Sequence, residues 1–300
     1  MNAKEKFLEN PNSLTYLLAQ ADSEDLDILV DYITDKGEGR IALDAAVCKR
    51  LVACKEKGEY TIDDRELISK EIRLFGGNTM ANLYRDLRKN VPFGGVLDTV
   101  LPESQSSLDY DEIVRDVADH LKVKVSKGDE VLVMEDAVLR KLFEQAFDKM
   151  SPEEKKQVLA DLNIANLSML KPMGTAALIA AGKLGGFHTY QLALIVANAV
   201  ARAILGRGLP FVVNPLIVRA VSIALGPIAW VLTGLWTIAD MASPAYRVTV
   251  PCVVQLAYMR QKALVAAYTT TCPKCSAPNS REAKFCSECG TALAANKDAA

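Results

Sequence analysis

The sequence predicts a mainly α-helical protein, and three observations lead to this prediction. Apolar residues recur at helical spacing through residues 1–170, where no segment alternates long enough to require a sheet. Residues 174–268 form a long apolar stretch, rich in glycine and alanine, with a single acid, Asp240. Four of the seven cysteines lie in two C-x-x-C pairs near the C-terminus. We expect a helical N-terminal domain (1–170), an apolar helical region (171–268), a small metal-binding module (269–292) and a disordered tail (293–300).

Charge divides the chain into an acidic half and a basic half. Residues 1–170 contain 23 basic and 33 acidic side chains, whereas residues 171–300 contain 12 and 4. The halves could simply dock on each other. Alternatively, the basic apolar half contacts anionic lipid headgroups, where each Lys or Arg contributes about 1 kcal/mol. No dense basic patch contains interleaved aromatic residues, so we expect no nucleic acid partner.

The cysteine count and the first residues predict a cellular compartment. An odd number of cysteines, four of them clustered, favours a reducing environment over a disulfide framework. Residues 1–10 lack an apolar h-region, so no signal peptide is expected. We predict a cytoplasmic protein whose apolar half would act at the inner membrane. Cys48 and Cys54 fall in a helical pattern and are predicted to be small buried hydrophobic residues.

Helix signals in the first 90 residues predict five consecutive helices. A short one follows Asn12, and Ser23 is the predicted N-cap of the next. Residues 35–40 read as a loop, and residues 41–55 return to helical spacing. A helix over 63–75 is predicted to end at Gly76-Gly77, with Asn78 or Thr79 capping its successor.

Residues 92–107 are rich in proline, glycine and serine and predict a connecting loop. Helices are then expected over 109–123, beside which His120 lies, and over 131–150. Ser151 followed by Pro152 and two acids predicts a further helix start.

The apolar stretch contains helical segments separated by glycine and proline. We expect a helix over 189–205, a turn at 206–210, and a helix running to Tyr268 with Pro251 in its first turn. Arg247, if buried, would need a partner, and Asp240 is the nearest acid.

Residues 220–239 are uncharged and long enough to cross a bilayer. Three interpretations stay open for this run: a membrane-spanning helix, a hairpin buried in a protein core, or a hairpin that is sheltered in solution and exposed at a membrane.

Several motifs resemble one bacterial family. Residues 74–82 (LFGGNTMAN), 243–251 (SPAYRVTVP) and 255–260 (QLAYMR) are similar to the YaaW-type proteins, which are often labelled ubiquinol–cytochrome c chaperone-like. Residues 25–29 and 34–39 are similar to a short domain at the N-termini of those proteins. The resemblance covers about 22–262 and implies a bacterial, all-helical protein with an apolar C-terminal half. It implies no catalytic residue, and the cysteine module is an addition to the family pattern.

The C-terminal cysteines form the most specific motif in the chain. Cys272, Cys275, Cys286 and Cys289 form two C-x-x-C turns with ten residues between them. This pattern is typical of a zinc ribbon, in which four thiolates surround one Zn²⁺ at about 2.3 Å. Gly290 suits the turn after the second pair, and Phe285 is expected to pack beside the metal. A redox dithiol and an iron site are the rival interpretations. Four cysteine ligands leave no open position, so the predicted Zn²⁺ is structural.

Three classes of function remain at this point. The first is a non-enzymatic bacterial protein that associates with the inner membrane or inserts an apolar hairpin, with anionic lipid as its partner. The second is a soluble assembly factor or chaperone that binds a protein client through its apolar half. An enzyme ranks last, because two histidines and no paired-carboxylate or phosphate-loop signal leave little to perform chemistry.

Overall fold

The computed structural model describes residues 3–90, 108–161, 187–209, 245–275 and 277–293. Over these residues the chain forms ten α-helices followed by a two-stranded antiparallel sheet. In chain order the elements are α1 (Ala3–Glu9), α2 (Leu14–Gln20), α3 (Ser23–Thr34), α4 (Ala45–Lys57), α5 (Ile62–Asn90), α6 (Tyr110–His120), α7 (Val131–Asp148), α8 (Pro152–Asp161), α9 (Phe187–Leu205), α10 (Tyr246–Tyr268), β1 (Thr269–Thr271) and β2 (Pro278–Ser280). The predicted mainly helical fold is confirmed.

Helix α10 lies at the centre of the helical body. Every side chain from Val248 to Gln261 is buried, whichever face of the helix it occupies. The helix packs against α2, α3, α5, α6, α7 and α9. Because a helix that is apolar on all sides must be enclosed, the composition of this segment explains its position. Arg260 is the one charged side chain within this buried span.

One hydrophobic cluster joins helices from the acidic and the basic half of the chain. It includes Leu26 of α3, Leu139 of α7, Leu194 of α9 and Leu256 of α10. The C-terminal module has a separate small cluster, which contains Cys272, Ala277, Cys286 and Leu293. The domain limits at residues 170 and 268 stay predictions.

Two helix starts test the predicted caps. At α8 the Ser151 hydroxyl accepts the Glu154 N–H at 3.2 Å, and the Glu154 carboxylate accepts the Ser151 N–H at 2.8 Å. This reciprocal pair is a capping box, so the predicted helix start is confirmed. At α3 the predicted cap is wrong by one residue. Asp22 accepts the Asp25 N–H at 2.9 Å, because the Ser23 hydroxyl donates instead to the Gly58 carbonyl.

Helix α5 does not end at Gly76-Gly77, so that prediction and the predicted caps at Asn78 or Thr79 are wrong. The helix runs unbroken from Ile62 to Asn90. A Cβ atom at Gly76 would lie 2.5 Å from Ile113 Cγ1 of α6. Ile113 is itself buried. Gly76 is therefore explained by the close approach of α5 and α6, and not by a change of backbone direction.

Helix α10 begins earlier than the sequence predicts, which places Pro251 inside the helix and not in its first turn. Tyr246 anchors the start: its ring stacks on His120 with centroids 3.8 Å apart, and its hydroxyl donates to Asp116 at 3.2 Å. Arg247 is exposed, so it does not need a buried partner, and Asp240 lies outside the described residues.

Two other predicted segments also lie outside the described residues: the connection over 92–107 and the apolar run over 220–239. Among the helices that the structure does describe, none combines the length and the apolar character needed to cross a membrane. The predicted helix over 189–205 corresponds to α9, and the turn that follows it has Gly206 at φ 72°.

Candidate metal centre

The C-terminal module is a short ribbon that follows α10 without a linker. Strand β1 begins at Thr269, the C-cap of α10, and pairs with β2 so that Thr269 lies opposite Ser280. The first C-x-x-C turn lies between these strands. The second lies inside an isolated antiparallel bridge between Phe285 and Ala292. The two turns are thereby brought face to face.

The ribbon brings all four predicted cysteines together. Their sulfur atoms all lie within 4.8 Å of one another. The Cys272 and Cys289 sulfurs are 3.6 Å apart, and those of Cys275 and Cys286 are 3.5 Å apart. A tetrahedral site with bonds of about 2.3 Å has edges of about 3.8 Å, so the cluster has the dimensions of a zinc site. Cys272 and Cys286 are buried, and the other two are half-buried.

Backbone turns and hydrogen bonds favour the thiolate form of the second pair. Gly290 adopts φ 67°, as the predicted turn requires, and its N–H donates to the Cys286 carbonyl at 3.0 Å. A hydrogen bond from the Cys289 N–H is the main reason that the pKa of Cys286 is lowered to about 6. The Thr291 hydroxyl, 3.1 Å from the Cys289 sulfur, is the main cause that lowers the pKa of Cys289. Thiolates are the form that binds a metal ion.

Asn279 supports the cysteine cluster, and sequence reasoning missed it. Its side chain is buried, donates to the Ala277 carbonyl at 2.9 Å and approaches the Cys286 sulfur at 3.4 Å. Its carbonyl oxygen accepts the Ser287 N–H at 2.9 Å. One amide thus connects the two C-x-x-C turns. The only signal in the sequence is its place midway between the pairs.

The prediction for Phe285 is wrong. This side chain is 65 % exposed and does not pack beside the cysteines. The short ribbon encloses only the small hydrophobic cluster described above, and Phe285 is not part of it. Cys48, Cys54 and Cys252 lie in the helical body, away from the site. Cys48 and Cys252 are buried, as expected of Cys48, but Cys54 is only half-buried.

Arg281 attaches the ribbon to the end of α10. Its guanidinium donates to the carbonyl oxygens of Ala266 at 2.7 Å and Thr269 at 3.1 Å. Its backbone N–H donates to the Tyr268 carbonyl at 3.0 Å. A cation at the carboxyl end of a helix also interacts favourably with the helix dipole. The orientation of the ribbon on the helical body is therefore fixed by contacts to α10.

A buried ion pair lies in the centre of the helical body, and sequence reasoning missed it as well. Arg260 of α10 makes a two-pronged contact with Glu135 of α7, at 2.7 Å and 3.1 Å. The Tyr110 hydroxyl donates to the same carboxylate at 2.7 Å, and Arg260 also donates to the Pro11 carbonyl. All hydrogen bonds here connect distant segments, so the cluster fixes their mutual position.

The fold and the cysteine cluster define a helical protein with an appended four-cysteine ribbon. Residues 61–254 match the sequence pattern of the ubiquinol-cytochrome C chaperone family, and residues 271–293 match the zinc-ribbon domain. The chain belongs to the ubiquinol-cytochrome C chaperone family, as the motifs predicted, and carries a zinc-ribbon domain at its C-terminal end.

Related proteins confirm this membership. A UPF0174 protein of Helicobacter pylori is 38 % identical over 69 % of this chain and 75 % of its own length. A second one from that species is 35 % identical over 65 % of this chain and 87 % of its own length. UPF0174 protein YaaW of Escherichia coli is 27 % identical over 65 % of this chain and 70 % of its own length. No solved structure matches the chain.

Proposed function

We propose that Cys272, Cys275, Cys286 and Cys289 bind one structural Zn²⁺. The proximity of the four sulfur atoms is the observation that carries this proposal. Each close sulfur–sulfur approach joins cysteines from different C-x-x-C pairs, whereas a redox dithiol would use one pair. Four thiolates leave no open position for a substrate, so the metal stabilises the ribbon.

Metal analysis of the purified chain tests this proposal. We expect about one zinc per chain, lost in Cys286→Ser because three thiolates hold zinc less tightly than four. The matched control is Cys54→Ser, a half-buried cysteine in the helical body. Zinc that persists in Cys286→Ser, or iron in its place, would contradict the proposal.

We further propose that the chain is a non-enzymatic assembly factor or chaperone that binds a protein client. Its family description supports this role, and so does the exposed ribbon, whose Phe285 is available to a partner. Light scattering during thermal unfolding of a model substrate tests it. We expect equimolar protein to suppress aggregation of the substrate, and unchanged scattering would count against the proposal.

Membrane association is the second candidate function, and the uncharged run over 220–239 is the observation in its favour. Flotation with vesicles that contain phosphatidylglycerol separates the two candidates. Recovery of the chain with the vesicles, reversed by salt or by a charge in the run, supports association with anionic lipid. Recovery only in the soluble fraction leaves the client-binding role.

A further inference from the structure

A groove with a volume of about 620 Å³ opens between α1, α2 and α5. Lys6 lies on its α1 wall and Tyr16 on its α2 wall. Helix α5 forms the floor with one face, on which Ile62 is 75 % exposed. Ile62 therefore offers an apolar contact at the edge of a concave surface.

The groove is basic although it belongs to the acidic half of the chain. Four cations line it, Lys6, Arg65, Lys70 and Arg73, against one acid, Glu66. Residues 1–170 as a whole have 33 acidic and 23 basic side chains. The local reversal of sign therefore marks this surface as complementary to an anionic partner.

Two of these cations, Lys6 and Lys70, and the weakly paired Arg73 can be reached by a partner. Lys6 and Lys70 are exposed, and neither forms a direct ion pair with any acid in the part of the chain that the structure describes, although the Lys70 charge acts on its neighbour Glu71 and opposes the rise in the pKa of Glu71 that burial causes. Arg73 pairs at 3.0 Å with Asp109, whose side chain is 79 % exposed, and such surface pairs contribute little. Arg65 is committed to the fold, because it donates to the carbonyls of Leu18 and Ala21.

The length of the groove favours an elongated ligand over a small one. Ile62, Ser69 and Arg73 follow one face of α5 and span about 16 Å at 1.5 Å per residue. Ser69 is 9 % exposed and lies on the groove side of the helix. A single phosphate or headgroup would reach only one of these positions, whereas a peptide of three helical turns reaches all of them.

We propose that this groove binds an acidic amphipathic segment of a protein client. Carboxylates of the segment pair with Lys6, Lys70 and Arg73, and its apolar side chains contact Ile62 and Tyr16. The Ser69 hydroxyl donates to a carboxylate or carbonyl of the segment. The proposal rests on the client-binding function, to which it assigns a surface distinct from the ribbon.

The probe is a labelled helical peptide of about 14 residues, with Glu on one face and Leu on the other. Its counterpart has Lys at every Glu position. We expect the acidic peptide to bind, to lose affinity about fivefold between 50 and 300 mM NaCl, and to protect the amides of residues 62–73 from hydrogen exchange. Lys6→Glu/Lys70→Glu should weaken binding at least tenfold, whereas Lys49→Glu, an exposed lysine of α4, should not.

Several results would overturn this assignment. One is that the acidic peptide does not bind at concentrations below about 1 mM. Others are that its lysine counterpart binds equally well, or that the double variant binds the acidic peptide with unchanged affinity. Vesicles of phosphatidylglycerol that bind through the same lysines, without peptide binding, would reassign the groove to lipid. A dimer lost in the double variant would reassign it to a second copy. Peptide binding that persists in Cys286→Ser separates this groove from the zinc proposal.

Discussion

A cluster of polar contacts around Asp25 joins α3 to α10. Lys262 donates to Asp25 at 2.9 Å and to Asp22 at 2.6 Å, and Gln255 lies 3.4 Å from Asp25. Burial raises the pKa of Asp25 to about 6, even though Lys262 opposes this shift. Asp22 is less buried, and despite desolvation its hydrogen bonds to Lys262 and to the Asp25 N–H lower its pKa.

These opposite shifts predict opposite pH dependences. A carboxyl whose folded pKa is raised contributes stability at low pH that is lost as the pH rises from about 4 to about 6. We expect this loss to reach about 3 kcal/mol for Asp25, at 1.36 kcal/mol per pH unit. Chemical denaturation of the wild type and of Asp25→Asn across this window measures it, and the variant should lack this decline.

Asp22→Asn is the matched comparison for that experiment. The lowered pKa of Asp22 stabilises the fold at neutral pH, and this contribution is lost as the pH falls below about 4. The two variants should therefore change the pH profile in opposite directions. Parallel profiles for the wild type and Asp25→Asn between pH 4 and 6 would show that burial does not control this carboxyl.

Single residues show where prediction from sequence succeeds and fails. The clustering of the four cysteine sulfur atoms was predictable, because two C-x-x-C pairs within 18 residues are the pattern typical of a single metal site. Arg260 and Glu135 are 125 residues apart, so their pairing depends on how α7 meets α10, which no local pattern encodes. The role of Asn279 could not be predicted for the same reason, at shorter range. Its hydrogen-bond partners are determined by the fold of the ribbon.

At the scale of elements, the α5–α6 contact decides the role of Gly76. Glycine in a helical pattern predicts either the C-cap of the helix or a close approach of a neighbouring helix. The two are distinguished only by which residue packs against the glycine. Here the neighbour is Ile113, 2.5 Å from the position of a Cβ atom. The presence of a helix at α5 was therefore predictable from the periodicity of its apolar residues, whereas the length of that helix was not.

Substitution at Gly76 tests this contact. Gly76→Ala gains about 1 kcal/mol in helix propensity, but forces a methyl group into Ile113, which costs about 1–3 kcal/mol. We expect a net loss in the free energy of unfolding, measured with denaturant. Ile113→Ala alone should cost about 2–5 kcal/mol through its cavity.

The double variant Gly76→Ala/Ile113→Ala discriminates between packing and backbone effects. If the methyl group fills space that Ile113 vacates, the double variant should be more stable than the sum of the single changes predicts, by about 1 kcal/mol or more. Additive effects would mean that the glycine is needed for its backbone and not for the approach of α6.

For the whole molecule, the central question is how the ribbon and the helical body are joined. They have separate hydrophobic clusters, and Arg281 connects them by binding the last carbonyls of α10. The sequence predicted both parts and their order. It could not predict their attachment, because an exposed arginine between two C-x-x-C pairs has no distinguishing pattern.

Removal of Arg281 should loosen the joint while leaving both parts folded. In Arg281→Ala we expect zinc to be retained and amide exchange over residues 264–269 to rise about fivefold, which corresponds to about 1 kcal/mol. Lys284→Ala, an exposed cation of the same ribbon, is the control. Unchanged exchange at the end of α10 would mean that the strand continuity from Thr269 alone holds the ribbon.

The central position of α10 also has a consequence during synthesis. Glu135 leaves the ribosome 125 residues ahead of the arginine that neutralises it, a delay of roughly 6–25 s at about 5–20 residues/s. Helices α1 to α7 are therefore synthesised before α10, the helix against which several of them pack. We expect them to stay loosely packed and open to association with other nascent chains until α10 has been synthesised.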